Sequence, residues 1–220
     1  MLHLLHLCDT LFPLGGFAYS DGLESATARD AIADADGLRE WIDVCLDETI
    51  GRTEGRAAWQ AWAAVRDERW DALAALDRDL VALRPSSSAR RSTRAMGSRL
   101  LTTWNALYPD PRLTVLQRVT PQGPALPIAF AAVCVCIGVD RQAAVEAFAY
   151  TRLAATISAS MRLMPIGQTE AHALLARSLA RVPRVIADLA ATDAPPESFA
   201  PALDIAAMTQ QYLHSRLFRS

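Results

Sequence analysis

The sequence predicts an all-α protein: a single-domain bundle of about eight to ten helices over residues 1–220. Three observations carry this. Apolar residues recur at helical spacing along most of the chain, and no stretch sustains the period-two alternation of a half-buried strand. Hydrophobic residues make up 51% of the 220, enough to fill one sizeable core. Proline and glycine fall between the periodic segments and punctuate them.

The elements follow in order. Residues 2–12 are apolar and stop at Pro13. A second helix is expected to begin at Ser20 or Asp21, where Asp21 and Glu24 have the spacing of a capping-box variant. From Asp36, the residues Leu38, Trp41, Ile42, Cys45, Leu46 and Ile50 repeat at helical spacing, with Gly51 placed to close the helix. Trp59 and Trp62 mark the next helix, and Trp70, Leu73, Leu76, Leu80 and Leu83 another. Ser86–Ser88 offer N-caps to a long helix with Met96, Leu100, Trp104 and Leu107 on one face. Residues 109–124 read as a connection containing Pro and Gly. An apolar helix near 125–138 follows, then one capped by Asp140. Met164-Pro165-Ile166-Gly167 interrupts the chain. A helix resumes at Gln168 with a bend expected near Pro183, and a last one spans about 203–213. Residues 215–220 read as a candidate flexible tail.

Composition excludes several classes. The net charge of −2 gives no general attraction to nucleic acid or to a membrane surface. All 22 basic residues are arginine, so P-loop, Schiff-base and kinase-type lysine chemistries are absent. The uncharged run between Arg118 and Asp140 is broken by three prolines and is too short to span a bilayer. Cys8, Cys45, Cys134 and Cys136 sit in apolar surroundings and read as buried free thiols of a reducing, cytoplasmic protein.

Candidate chemistry is sparse. Ala18-Tyr19-Ser20-Asp21-Gly22 is one residue away from a nucleophile elbow, which makes an α-helical serine hydrolase using Ser20 a remote alternative. The strand that such an elbow needs is missing, and a helix-capping serine explains Ser20 equally well. Cys134 and Cys136, two apart on a helix, cannot easily chelate one ion. His3 and His6 are weak metal candidates: they can share a helical face but lack a third ligand. Arg84, Arg90, Arg91, Arg94 and Arg99 accumulate in a stretch without acids. A solvated basic face explains them first, an acidic protein partner second and nucleic acid last.

The most distinctive segment is Phe12-Pro13-Leu14-Gly15-Gly16-Phe17-Ala18-Tyr19-Ser20-Asp21-Gly22-Leu23-Glu24, where aromatic groups flank a glycine pair. Gly16→Val is expected to be damaging if that glycine has a positive φ. Met161-Arg162-Leu163-Met164-Pro165-Ile166-Gly167-Gln168 and the ending Ser215-Arg216-Leu217-Phe218-Arg219-Ser220 are the other two unusual runs, and Met96-Gly97 with Arg99-Leu100-Leu101 is a weaker fourth. Together, in this order, they resemble the urease accessory protein UreF family. Where members of that family often carry a His-Glu pair before the tail, this chain has Gln210-Gln211.

The resemblance implies an all-α, non-catalytic, cytoplasmic homodimer. It would join a UreG-type GTPase to a UreD/UreH-type accessory protein and serve apo-urease. No cofactor would be bound stably, and nickel would be handled by the assembled complex. The implied partner-binding residues are Pro13, Gly15, Gly16, Tyr19, Ser20, Gly22, Glu24, Arg162, Pro165, Gly167, Gln168, Arg216, Leu217, Phe218 and Arg219. Removing Arg216 to Ser220 is expected to weaken partner binding without unfolding the domain. An alternative is regulation of the GTPase by insertion of Arg162 against its nucleotide.

Overall fold

The computed structural model describes residues 1–219. Its helices are α1 (Leu2–Cys8), α2 (Leu23–Ala28), α3 (Ala35–Val44), α4 (Glu54–Arg66), α5 (Trp70–Ala82), α6 (Ser87–Leu107), α7 (Pro111–Val119), α8 (Leu126–Cys136), α9 (Arg141–Leu163), α10 (Gln168–Ala190) and α11 (Pro201–Thr209). Gly16–Ala18 and Gln210–Tyr212 are single 3-10 turns, and no strand occurs among the described residues.

The central element is α8. Every residue from Leu126 to Val135 is buried, so the helix has no solvent face. It sits against α4, α6 and α9, and α10 packs on the outer side of α9. A helix that is apolar all round is stable only inside such a cage. Gly97 is where α6 comes closest to the start of α8: a Cβ there would lie 2.1 Å from the Pro124 carbonyl oxygen. The edge of the bundle is tied by Asp77, which accepts from the Ala125 N–H at 2.7 Å and pairs with Arg94.

Several boundaries differ from the sequence reading. Residues 109–124 are not a plain connection, because Asp110 accepts from the Arg112 N–H and Pro111 takes the first helical position of α7. Proline is favoured there, since its missing N–H would have no helical partner anyway. The chain does not close at Gly51. Cys45–Thr53 winds as a π-helix and runs directly into α4. The segment after α10 braces this wide turn: Thr53 Oγ1 donates to the Glu197 carbonyl at 2.5 Å, and the Glu197 N–H donates to the Arg52 carbonyl at 3.1 Å. Helix α3 begins at Ala35, one residue before Asp36, and Asp34 caps it through the Gly37 N–H. Helix α10 passes through Pro183 as one element. The last helix ends at Thr209 and tightens into the 3-10 turn.

Candidate functional site

The opening loop folds as a compact corner. Phe12 is buried in the core, Gly15 takes a left-handed φ of 74°, and one 3-10 turn follows. Asp21 (φ 50°) and Gly22 (φ 94°) then reverse the chain into α2. Positive φ therefore falls at Gly15 and Gly22 and not at Gly16, which corrects the reason given for the sensitivity of Gly16. Gly22 is also crowded: a Cβ there would stand 2.7 Å from the Ala207 nitrogen of α11.

The Asp21–Glu24 pair does not form a capping box. The Glu24 N–H instead meets Ser20 Oγ at 3.4 Å, and the Glu24 side chain turns inward. Its buried carboxylate accepts from the consecutive backbone N–H groups of Leu217 and Phe218, the latter at 3.2 Å, and from Gln210 Nε2 at 3.3 Å. Gln210 Oε1 accepts from Ser20 Oγ at 3.2 Å and from the Gly22 N–H at 3.1 Å. One buried glutamine thus joins the loop, α2 and the approach to the tail. Ser20 is held in this network, bonded to Gln210 and the Glu24 N–H rather than to a histidine.

The tail is packed, where the sequence suggests a free end. Phe218 is 4% exposed, and the Arg219 N–H donates to the Ala18 carbonyl at 2.7 Å. Arg162, from the last turn of α9, supplies the clamp. Its guanidinium lies 4.1 Å from the Phe17 ring centroid and 4.2 Å from that of Phe218, and it donates to the Phe17 carbonyl at 3.1 Å. Such cation–π contacts strengthen as they are desolvated. Three segments that are distant in sequence thereby become one surface. Pro165, Gly167 and Gln168 are exposed just beyond this clamp, at the turn into α10. Pro13 and Phe17 are exposed on the loop, and Leu217, Arg216 and Arg219 on the tail. Ser220 lies outside the described residues.

Beneath the loop is a charge cluster that is buried at Glu54 and open to solvent at Asp21. Arg152 reaches Asp21 Oδ2 at 2.5 Å and Glu54 Oε2 at 3.0 Å, while Arg84 pairs with the other Glu54 oxygen. Burial alone would raise the Asp21 carboxyl, but the two guanidiniums outweigh it and hold the group below its ordinary range. The cluster lines a cavity of about 100 Å³ that also meets Cys45 and the apolar side chains of Ile50 and Leu153. Burial pushes the Cys45 thiol up to about 12, so it remains a thiol at neutral pH. No disulfide joins the four cysteines.

Other candidates disperse. His3 packs edge-on against Trp104 and Tyr108, and His6 lies tilted against Trp104 and edge-on to Tyr108. No group of three or more metal-ligating side chains occurs among the described residues. The arginine run is not one basic face: Arg84 pairs with Glu54, Arg90 donates to the Pro85 carbonyl, Arg94 pairs with Asp77 and Arg99 donates to the Leu14 carbonyl. Sequence reasoning missed Gln210, Arg152 and Glu54 as organisers of the corner. Their partners lie up to 190 residues away, and nothing in the local spacing signals them. No described helix is long and apolar enough to cross a membrane.

Fold and site together define an all-helical protein whose distinctive residues build one joint surface. Comparison with known proteins makes the assignment specific. The UreF family model matches residues 32–179. The urease accessory protein UreF of Bacillus sp. (strain TB-90) is 31% identical, with 100% of this chain and 99% of the relative aligned. Those of Lachnoclostridium phytofermentans and Delftia acidovorans are each 30% identical, covering 100% and 99% of this chain and 98% and 95% of the relatives. The chain belongs to the UreF family.

Proposed function

We propose that this chain is a non-catalytic scaffold of urease maturation. It would act as a homodimer that bridges a UreG-type GTPase and a UreD/UreH-type accessory protein, so that the assembly inserts nickel into apo-urease. The carrying observation is the joint surface of opening loop, α9 end and tail. The three segments behind the family resemblance are far apart in sequence, and two of them meet at Arg162 of the third. A serine hydrolase would need its nucleophile beside a base. Here Ser20 is bonded to Gln210, and the surface offers aromatic and arginine groups typical of protein contacts.

Co-expression with the two accessory partners and affinity capture tests this. Both partners should co-purify in stoichiometric amounts, and deleting the gene should abolish urease activation. Full urease activity in the deletion strain, with no association, would refute the reading. The arginine-insertion alternative is less favoured, because the Arg162 guanidinium already lies between two rings of its own chain. If Arg162→Ala lowers GTP turnover in the assembled complex without weakening assembly, that alternative prevails.

A further inference from the structure

The opening loop gathers arginines from three other parts of the chain. Arg99 of α6 donates to the Leu14 carbonyl at 3.3 Å, and Arg162 of α9 donates to the Phe17 carbonyl at 3.1 Å. The backbone of Arg219 in the tail is fixed to the Ala18 carbonyl at 2.7 Å. All three anchor points lie within Leu14–Ala18, a stretch that the 3-10 turn keeps short. No carboxylate among the described residues pairs with any of these three guanidiniums. The acids nearby are engaged elsewhere. Asp21 pairs with Arg152, Glu24 faces inward to the tail N–H groups, and Asp9 accepts from the Leu11 N–H.

We propose that this face reads carboxylates: Arg162 takes an acidic side chain of a partner protein in a bidentate pair, with Arg99 and Arg219 flanking it. The proposal rests on the scaffold reading above and names the chemistry of the segment that the partner presents. Its first support is the state of Arg162. The guanidinium is stacked on the rings of Phe17 and Phe218, so its plane is set before any partner arrives and little rotamer freedom remains to be lost. Nη1 is bonded to the Phe17 carbonyl, and the guanidinium makes no other hydrogen bond among the described residues. The remaining N–H groups form a fork that matches the two oxygens of a carboxylate.

Charge supplies the second support. The whole chain carries −2, so a face with three unneutralised arginines is opposite in sign to the molecule around it and attracts acidic partners. Apolar neighbours refine the fit. Phe17 is 70% exposed and Leu217 is 55% exposed beside the arginines, which suits a segment whose acids are flanked by apolar residues.

Fluorescence anisotropy on the full chain tests the proposal, with a short fluorescein-labelled peptide of alternating glutamate and leucine as the probe. Wild type should bind it, and the matching glutamine peptide should bind at least about tenfold more weakly, a difference of ~1.4 kcal/mol. Raising sodium chloride from about 50 to about 200 mM shortens the screening length roughly twofold and should weaken binding several-fold. Arg219→Glu leaves the backbone anchor at Ala18 in place and should cost at least about fivefold. Arg162→Lys keeps the charge without the fork and should recover less than half of what Arg162→Gln loses. If Arg162→Gln unseats the tail, seen as a lower Tm, Arg99→Gln and Arg219→Glu carry the test. Arg184→Gln, on the exposed side of α10, should bind as wild type does. Equal binding of the two peptides, indifference to salt, or wild-type affinity in Arg219→Glu would overturn the proposal. So would displacement of the peptide by inorganic phosphate beyond that caused by sodium chloride at equal ionic strength, which would make this a phosphate site. Capture of the accessory partners is read separately. Partners captured without peptide binding overturn this inference alone, and peptide binding without partner capture refutes the scaffold reading.

Discussion

Glu24→Ala isolates the link between the opening loop and the tail. Three donors converge on this carboxylate: the N–H groups of Leu217 and Phe218 and the side-chain amide of Gln210. Hydrogen bonds to a charged acceptor contribute about 1.5–3 kcal/mol each, and their simple sum would exceed what the chain can lose. Once the acceptor is gone the tail can lift, and its two N–H groups regain water. The loss is therefore capped by the stabilisation that docking itself provides. That is dominated by the burial of Phe218, about 1.5–3 kcal/mol for a large apolar side chain. We expect a destabilisation of about 2–3 kcal/mol. In a domain of this length each kcal/mol moves Tm by about 2–4 °C, so Tm should fall by about 4–12 °C. Thermal unfolding by circular dichroism gives the shift, and hydrogen exchange at residues 217–219 reports the tail directly. Phe218→Ala should cost a similar amount, and the double variant little more, because both act through one docking event. A Glu24→Ala protein whose Tm moves by less than about 1 °C and whose 217 and 218 amides stay protected would refute the argument. The same logic revises the expectation for removing Arg216 to Ser220: the truncation takes Phe218 out of the core and lowers stability as well as partner binding.

Other perturbations test the packing. Gly22→Ala should cost at least about 2 kcal/mol in urea unfolding, because φ is 94° and the new Cβ meets the Ala207 backbone, whereas Gly16→Ala, with only Met96 Sδ at 3.7 Å, should stay within about 0.5 kcal/mol. Gly97→Ala should cost about 3 kcal/mol or more by driving α6 away from Pro124, read as a lower urea midpoint with an unchanged slope. Asp110, held by Arg112 at about 2, has a folded-state value below its unfolded one. Its stabilisation is therefore present above about pH 4 and is lost as pH falls toward 2. Asp110→Asn keeps the cap of α7, so it should lose about 1–2 kcal/mol at neutral pH and less at pH 2, a difference that acid titration of the unfolding midpoint measures.

Periodicity made most of the bundle readable. Helices such as α6 and α9 have one inward apolar stripe and a side-chain cap, and both signals are local. Helix α7 is hidden in a segment whose prolines and glycine resemble a connection, although Pro111 at the first helical position favours initiation. The π-helix was hidden because Gly51 is an ordinary C-cap residue, and the wider turn is supported from far along the chain, by the segment near Glu197 and by Arg181 of α10 on Asp47. In the corner, the residues Tyr19 to Glu24 were visible as unusual, but their roles were not. Asp21 and Glu24 have the spacing of a cap, yet one pairs with Arg152 of α9 and the other with the tail. Carboxylates choose the strongest donors in reach, and those donors come from elements distant in the chain.

The turn between α4 and α5 has a practical bearing on how such a chain is handled. A carboxyl-terminal affinity tag would load the residues that seat Phe218, and an amino-terminal one would load α1, beside the opening loop. Either could abolish an association that the unmodified chain makes. Asp67 to Arg69, by contrast, form an exposed reversal with a left-handed Glu68. Exposed loop tips of this kind tolerate insertion best. A tag placed there would leave the loop, the tail and α1 all free to meet their neighbours.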